Sequence, residues 1–365
     1  MTKATSAGGI NPDAFATLLC DWCLELIERD SVLVSTTPLA TPLVRAFHRA
    51  AITRGAWSPS VRIAIPGVAE DFYRLAPDGL LDHYSPQDMA DAENADAFLS
   101  IQAPDNTRAL AGVDPAVITR AARALEPVRE VRLRKRWCGT LWPTPALAQQ
   151  AGMSDDDYEA FVERALFLDR SNPVGAWREL NDRQASLVDR LSEAREIRIE
   201  ADGTDLRLRV GGRTWINSNG KRNMPSGEVF TGPLEDSARG TIRFAIPSSP
   251  RGVLVDGVEL TFEDGKVIRA TAERGQAYLD AALATDPGAR FLGELGIGTN
   301  AGIDRPTGST LLDEKMAGTV HLALGRSYPE TGGRNASALH WDLICDLRQG
   351  GRLTADGEVV EPTGA

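Results

Sequence analysis

Residues 318–346 read GTVHLALGRSYPETGGRNASALHWDLICD. Within the first run, Val320, Leu322 and Leu324 recur with a period of two, which is typical of a strand with one buried face. His321 falls on the opposite face, because successive side chains of a strand alternate in direction. A histidine placed there is either a core residue bonded to a backbone carbonyl or a metal ligand, and the run by itself leaves both open.

The second run, SALHWDLICD (337–346), contains a paired signal. His340 and Asp342 are two residues apart, so on a strand both side chains point to the same face. The chain has four histidines, and two of them lie within twenty residues of each other here. Because an imidazole and a carboxylate on one face suit a single cation, the run favours a divalent-metal site.

Two glutamates lie upstream in glycine-containing segments. In NMPSGEVF (223–230), a Pro-Ser-Gly turn presents Glu228 at the start of a predicted strand, and an exposed loop glutamate is the alternative. In FLGELGIGTN (291–300), Glu294 interrupts an apolar strand, where a buried carboxylate needs a counter-charge or a metal. A strand edge that faces solvent is the alternative for Glu294.

Together the motifs supply three carboxylates and two imidazoles as candidate metal ligands: Glu228, Glu294, His321, His340 and Asp342. A single zinc ion in an enzyme usually has three protein ligands and a water. Five ligands therefore predict two divalent metal ions that share one carboxylate. Oxygen and nitrogen donors without thiolates favour Zn²⁺, Co²⁺, Mn²⁺ or Mg²⁺. Such a pair activates water, which predicts metal-assisted hydrolysis.

The motifs resemble those of the thermophilic-type metallo-aminopeptidases, the family of aminopeptidase T, aminopeptidase S and PepS. The resemblance places that family's metal ligands on the five residues above and its catalytic tyrosine on Tyr328. From the residues alone, Tyr328 is either a core ring or a hydrogen-bond donor to an oxyanion. The resemblance implies an aminopeptidase with two divalent ions that cleaves peptides with a free N-terminus, and a homodimer.

Two alternatives to a peptidase stay open. His321, His340 and one carboxylate would form the two-His-one-carboxylate triad of a non-haem Fe(II) ring-cleaving dioxygenase, a class to which the resemblance extends. The carboxylate count distinguishes the two, because one iron needs one carboxylate whereas a metal pair uses three. A binding protein that has lost turnover is the third reading.

Three further charged residues have candidate roles. Glu235 and Asp236 are candidates to hold the substrate's α-amino group, and a solvated turn is the alternative. Lys315 is predicted to be a structural surface cation, with an anion contact near the site as the alternative.

The pattern of apolar residues and turn signals changes along the chain and predicts two domains, an α/β domain over 1–192 and a β-rich metal-binding domain over 193–365. In the first, apolar runs alternate with helical patterns, which favours a mostly parallel sheet covered by helices. In the second, alternation and Asp-Gly turns favour antiparallel strands in a barrel-like or curved sheet. Predicted strands span 31–37, 60–65, 97–103 and 130–141. Four predicted helices begin at Pro12, at Thr41, near Asp88 and at Pro115, and three more span 154–168, 172–192 and 271–285. Asp-Gly turns lie at 202–203, 256–257, 264–265 and 356–357.

Composition argues against several partners. The chain has 365 residues and a net charge of −11, which disfavours nucleic acid or an anionic membrane as the main partner. No apolar run of about 18 residues occurs, so no membrane span is expected. Cys20 and Cys23 form a CxxC without a second pair, which favours buried thiols over a zinc knuckle. Four scattered cysteines fit a reducing cytoplasm.

Overall fold

The computed structural model describes residues 9–360. These residues form two compact units. One contains the chain up to Ala176 together with Gly220–Pro225, and the other contains Trp177–Asn219 together with the chain from Ser226 onward. The domain boundary between 192 and 193 stays a prediction. Among the helices of residues 9–360, each is too short or too polar to span a bilayer.

The described strands are β1 Ser31–Thr36, β2 Ser58–Ile63, β3 Ala97–Gln102, β4 Arg136–Leu141, β5 Glu196–Ala201, β6 Thr204–Arg209, β7 Ile216–Ser218, β8 Asn223–Met224, β9 Glu228–Thr231, β10 Arg239–Phe244, β11 Val258–Glu263, β12 Lys266–Thr271, β13 Leu292–Gly298, β14 Thr319–Gly325, β15 His340–Asp346, β16 Arg352–Ala355 and β17 Glu358–Val359.

The described α-helices are α1 Pro12–Leu18, α2 Thr41–Thr53, α3 Val68–Leu75, α4 Asp78–Leu81, α5 Pro86–Asn94, α6 Pro115–Ala124, α7 Glu126–Leu133, α8 Pro145–Gln150, α9 Asp155–Ala165, α10 Pro173–Ser192, α11 Gln276–Leu283 and α12 Thr310–Asp313. A π-helical turn, Leu19–Cys23, continues α1, and short 3-10 turns occupy Pro38–Ala40, Pro250–Gly252, Pro287–Arg290 and Pro329–Thr331.

Helix starts follow capping signals in the sequence. Asn11 accepts hydrogen bonds from the backbone N–H groups of Asp13 and Ala14, and a proline occupies the first helical position. Asp114 and Ser154 cap α6 and α9 in the same way. These side chains satisfy N–H groups that a helix leaves without intrahelical partners, so the predicted starts at these points are confirmed.

A parallel sheet forms the centre of the first unit, with strand order β2-β1-β3-β4-β8. On one face Leu33 of β1 lies beside Phe98 of β3. On the other face Val32 and Val34 are each 1% exposed. Helices lie in each connection between successive strands from β1 to β4, so the predicted helix-covered parallel sheet is confirmed.

Two predicted strands of this sheet begin at different residues. Residues 130–133 belong to α7, and β4 begins only at Arg136. Aliphatic and arginine residues alternate over 131–134 and imitate a strand, but Pro127 in the first turn and the buried Val128 follow helical rules. Strand β2 lies two residues earlier than predicted.

Two antiparallel sheets form most of the second unit, with orders β12-β11-β10-β6-β5-β16-β17 and β15-β14-β13-β9-β7. Asp-Gly turns close the β5–β6, β11–β12 and β16–β17 hairpins, as predicted. Asp264 and Asp356 have φ of 46° and 48°, and each precedes a glycine of positive φ, as a type I′ turn requires. The turn at 256–257 closes no tight hairpin, because β10 and β11 are joined by the longer connection 245–257.

The helix predicted over 271–285 is shorter in the structure, at Gln276–Leu283. Thr271 still belongs to β12. Gly275 has a φ of 79°, in the left-handed region, so a right-handed helix begins only after it.

One apolar core joins the two antiparallel sheets. Ile199 and Leu206 contribute from the larger sheet, and Leu295, Val320 and Leu322 contribute from the smaller one. All five are at most 1% exposed. Because side chains alternate along a strand, the opposite face of β13 and β14 is free for a different set of residues.

All four cysteines are buried and unpaired, as predicted. Burial raises the pKa of Cys20 to about 12 and that of Cys345 to about 11. Among residues 9–360, the candidate ligand groups contain no cysteine.

Candidate metal centre

Four neighbouring strands of the smaller sheet bring the predicted ligands to one face. Glu294 in β13 and Asp342 in β15 lie on either side of Ala323 in β14. Residues paired across neighbouring strands share a face, so these side chains converge. The predicted ligands come from β9 (Glu228), β13 (Glu294), β14 (His321) and β15 (His340 and Asp342).

The ligand atoms form two groups that share Glu294. In the first group, Nε2 of His321 lies 3.4 Å from Oε2 of Glu228 and 3.4 Å from Oε1 of Glu294. In the second, Nε2 of His340 lies 3.4 Å from Oε2 of Glu294 and 3.6 Å from Oδ1 of Asp342. Within each group the ligand atoms lie within 4.8 Å of one another. Glu294 therefore turns one oxygen toward each histidine.

Burial leaves the first group short of partners. Glu228, Glu294 and His321 are at most 6% exposed. Among residues 9–360, Oε2 of Glu228 and Nδ1 of His321 are buried without a hydrogen-bond partner. A buried polar atom without a partner costs free energy, and more so when it is charged. An unsatisfied carboxylate oxygen beside imidazole nitrogen is a donor set that fits a divalent cation.

Raised pKa values show that protons are favoured in the cluster when no metal is bound. Burial lowers the pKa of His321, but the carboxylates of Glu294 and Glu228 outweigh it and raise the pKa to about 10. Burial, followed by the charges of Glu314 and Glu294, raises the pKa of Asp342 to about 7. Burial also raises the pKa of Glu228. A metal ion that binds here must displace protons.

A backbone carbonyl orients the second histidine. Nδ1 of His340 lies 2.8 Å from the backbone oxygen of Arg326, and it must donate because a carbonyl only accepts. In the neutral form of the ring, Nε2 then has its lone pair toward the carboxylates. The ring of Tyr328 packs edge-on against His340, with centroids 5.0 Å apart, and against Phe230 at 5.7 Å. Burial, and then the charge of Glu294, raise the pKa of Tyr328 above its ordinary value, so its hydroxyl stays protonated.

A known protein family matches this chain over most of its length. The family described as thermophilic metalloprotease (M29) matches residues 11–361. The chain belongs to this family. The expected resemblance is thereby confirmed over nearly the whole described chain.

Individual relatives show the same extent of similarity. Aminopeptidase 2 from Geobacillus stearothermophilus is 34% identical and covers 91% of each chain. Aminopeptidase T from Thermus thermophilus is 30% identical, over 83% of this chain and 82% of the relative. The solved structure of wild-type AmpT from Thermus thermophilus superposes with a TM-score of 0.78 at 25% identity, over 96% of this chain and 98% of that one. The α/β plus β-rich fold class is therefore shared with a member of known structure.

Glycines on the ligand face of this M29 site were not recognised from the sequence. A Cβ added to Gly296 would lie 2.0 Å from Nε2 of His321, and one added to Gly298 would lie 2.1 Å from the carbonyl oxygen of Met316. Gly296 pairs directly with His321 in the sheet. The imidazole therefore lies over bare backbone. The available signal was the glycine spacing in GELGIG, since a strand interior tolerates glycine poorly without such a reason.

Lys315 is buried and is not the surface cation that the sequence predicted. It is 0% exposed. Its Nζ lies 3.3 Å from Oε1 of Glu228 and also contacts the carboxylate of Glu314. Burial lowers the pKa of Lys315, but these two carboxylates outweigh it, so the ammonium stays charged. The alternative prediction, an anion contact near the site, is correct, whereas Glu314 was missed.

Asp286 fixes the chain just before β15 and was also missed. Its carboxylate accepts hydrogen bonds from the backbone N–H of Ala338 at 2.7 Å and from the Ser337 hydroxyl at 2.8 Å. It also caps the following 3-10 turn through the N–H of Gly288. These bonds, led by that from Ala338, lower the pKa of Asp286. The segment that leads into His340 is therefore tied down, and the signal was the capping pair Asp-Pro.

Glu235 and Asp236 are engaged elsewhere. Glu235 pairs with Arg213 at 2.7 Å and accepts the backbone N–H of Arg334 at 2.7 Å. Asp236 is exposed and pairs with Arg209 at 3.1 Å. Neither belongs to a ligand group and both are paired with arginines, so a contact with the substrate's amino group stays a prediction.

Proposed function

We propose that this chain is a metal-dependent aminopeptidase that hydrolyses the N-terminal residue of peptides at a two-metal site. Glu294 supports this most directly, because its two oxygens face different histidines. The metalloprotease family and the relatives named aminopeptidase 2 and aminopeptidase T support the reaction class. A homodimer and a cytoplasmic location complete the proposal, the first from the family resemblance and the second from the cysteine content.

The proposed ligand sets follow the two groups of atoms. Glu228, Glu294 and His321 would hold one ion, and Glu294, His340 and Asp342 the other, with Glu294 shared. Zn²⁺, Co²⁺, Mn²⁺ and Mg²⁺ are the ions that these oxygen and nitrogen donors suit. When bound, such ions lower the pKa of a water molecule and polarise the carbonyl of the scissile peptide bond.

Residues around the ligands have the supporting tasks. Tyr328 is the proposed catalytic residue, because its protonated hydroxyl can donate a hydrogen bond to the substrate's carbonyl oxygen as negative charge develops there. The bond from His340 to the Arg326 carbonyl holds the imidazole in one tautomer. The ammonium of Lys315 favours the ionised form of Glu228.

The ring-cleaving dioxygenase is not favoured by this geometry. An Fe(II) triad places two histidines and one carboxylate on one ion. Among residues 9–360, each ligand group contains a single histidine: His321 in one and His340 in the other. The carboxylates exceed the number that one iron needs.

Hydrolysis of a peptide panel tests the function. The protein is freed of metal with EDTA and resupplied singly with Zn²⁺, Co²⁺, Mn²⁺ or Mg²⁺. Unblocked peptides should then release their first residue, and N-acetylated copies of the same peptides should not. Cleavage of the blocked copies at the same rate, or cleavage that persists in EDTA, would refute the proposal.

Metal stoichiometry tests the site itself. Wild-type protein should bind two ions per chain, Asp342→Asn should keep the ion of the other group, and Glu294→Gln should lose both. Glu263→Gln is the matched control, because this carboxylate is exposed on β11 of the other sheet. Two ions in Glu294→Gln would remove the bridging role from Glu294.

A further inference from the structure

A cavity of about 390 Å³ opens on one face of the parallel sheet in the first unit. Leu33 of β1 and Phe98 of β3 line its floor, and they pair directly in the sheet. Arg62 of β2 lines it as well, beside Ser35 of β1. Helices α5, α6 and α7, together with Leu125 between the last two, contribute the remaining lining. The volume is within the range of pockets that bind small molecules.

The floor of this cavity is apolar. Phe98 is 1% exposed and Leu33 is 8% exposed, and with Ala95 they form a small cluster of buried residues. Val128 adds a buried aliphatic wall from α7. These side chains are already almost fully covered, so an apolar group in the cavity would add van der Waals contacts with them.

The rim of the cavity is charged and contains more cations than anions. Arg62 is already paired, since it contacts both Asp88 and Asp91. Arg129 and Arg132 also line the cavity, and neither forms an ion pair with any residue between 9 and 360. Among these residues, neither guanidinium group therefore has a carboxylate within ion-pair distance, and Asp88 acts on Arg132 only from further away.

Arg132 is the better placed of these two cations. Its guanidinium carbon lies 4.8 Å from the ring centroid of Phe98, so its charge stands directly over the apolar floor. Burial, and then the charge of Arg62, lower the pKa of Arg132, and the opposing charge of Asp88 is a smaller contribution. An anion bound at this point would offset the desolvation of Arg132 and would screen its repulsion by Arg62.

We propose that this cavity binds a small organic anion whose carboxylate or phosphate head contacts Arg129 and Arg132 and whose apolar body rests on Leu33, Phe98 and Val128. The planar, five-donor guanidinium group matches either head. A small anion fits better than a polyanion, because the chain's net charge of −11 repels extended negative partners. The proposal does not depend on the peptidase activity.

Calorimetric titration of the full chain at fixed ionic strength tests the site. The protein is first freed of metal and dialysed out of the chelator, so that anions have no metal ion to bind. Phenyl phosphate and benzoate have both charge and ring, inorganic phosphate has charge alone, and benzylamine has the ring with the opposite charge. One equivalent of phenyl phosphate or benzoate should bind. Inorganic phosphate should bind with an affinity at least about tenfold lower, and benzylamine should not bind.

The two ring-bearing anions distinguish a phosphate head from a carboxylate head, and the proposal fails if neither binds. It also fails if benzylamine binds as well as they do, because the arginines would then have no role. If inorganic phosphate bound as tightly as the ring-bearing anions, the apolar floor would contribute nothing and the proposal would be overturned.

Variants on one helix separate a local contact from a general charge effect. Arg132→Gln should weaken binding of the better ring-bearing anion about tenfold or more, because a charge-assisted hydrogen bond is lost. Arg134→Gln is the control: it removes the same charge two residues away, from a side chain that is 78% exposed and outside the cavity. Equal losses in both variants, or none in Arg132→Gln, would overturn the proposal. Because Arg129 is exposed, Arg129→Gln repeats the test if Arg132→Gln fails to fold.

Discussion

Replacement of Gly296 by alanine tests whether the metal centre needs bare backbone opposite His321. The added Cβ would lie 2.0 Å from Nε2 and 2.1 Å from Cε1 of the imidazole. Ordinary contact begins at 3.4 Å, so the ring or the strand must retreat by about 1.4 Å. The ring is 1% exposed and β14 is paired on both sides, which leaves little room for that movement.

Two measurable losses should follow from this collision. Overpacking of a filled interior typically lowers the free energy of unfolding by about 1–3 kcal/mol. Movement of His321 also takes Nε2 out of its position 3.4 Å from both Glu228 and Glu294. A disturbed ligand shell typically costs about 10–100-fold in metal affinity. Urea unfolding of the metal-free protein measures the first loss, and titration with Zn²⁺ measures the second.

Two controls isolate the collision. Gly211→Ala should change neither quantity, because a Cβ at Gly211 would meet Arg195 at an ordinary 3.6 Å. In a His321→Ala background, Gly296→Ala should cost little stability, because the ring that it strikes is gone. The steric reasoning is wrong if the substitution costs the same with and without the imidazole, or if metal affinity stays at the wild-type value.

Three further predictions concern charge in the cluster. Lys315→Met should lower the unfolding free energy of the metal-free protein by about 3–5 kcal/mol, because it strands the buried Glu228 carboxylate, and added Mn²⁺ should restore part of the loss. Urea unfolding tests this, with the exposed Lys266→Met as control, and an unchanged midpoint would contradict it. Metal affinity should rise with pH, because His321 (pKa about 10) and Asp342 (pKa about 7) must release protons when a metal ion binds. Calorimetry of metal binding in two buffers of different ionisation enthalpy should detect this proton release. Identical heats of binding in the two buffers would refute the prediction. The stability of the metal-free protein should instead fall as the pH rises. Both folded-state pKa values exceed the ordinary 6.5 of histidine and 3.8 of aspartate that are expected in the unfolded chain. The stability that each group contributes is therefore lost as the pH rises through about 7 for Asp342 and about 10 for His321.

Most elements of the fold were predictable because their causes are local. The caps at Asn11 and Ser154 and the turns at Asp264 and Asp356 depend on a few adjacent residues. The errors arise where local signals conflict or where the partner is distant. Residues 131–134 alternate like a strand within a helix, and whether a turn closes a hairpin depends on how the flanking strands pair.

Convergence of the five candidate ligands was predictable for a similar reason, since a polar residue that interrupts an apolar alternation marks the second face of a strand. Other features of the site depend on pairing between distant segments. The burial of Lys315 follows from its contact with Glu228, which lies far earlier in the chain. The need for glycine at 296 follows from the register of β13 against β14, which places His321 opposite it.

Charge balance in the cluster also favours two ions over one. Glu228, Glu294 and Asp342 are carboxylates of the ligand groups, and Glu314, whose charge raises the pKa of Asp342, adds a fourth. With both imidazoles neutral, the four carboxylates and Lys315 have a net charge of −3, so one divalent ion leaves the cluster at −1 and two leave it at +1. A positive buried site favours the oxyanion that develops when a peptide carbonyl is attacked, and a negative one opposes it. The charge of the cluster, as well as its geometry, therefore favours a metal pair.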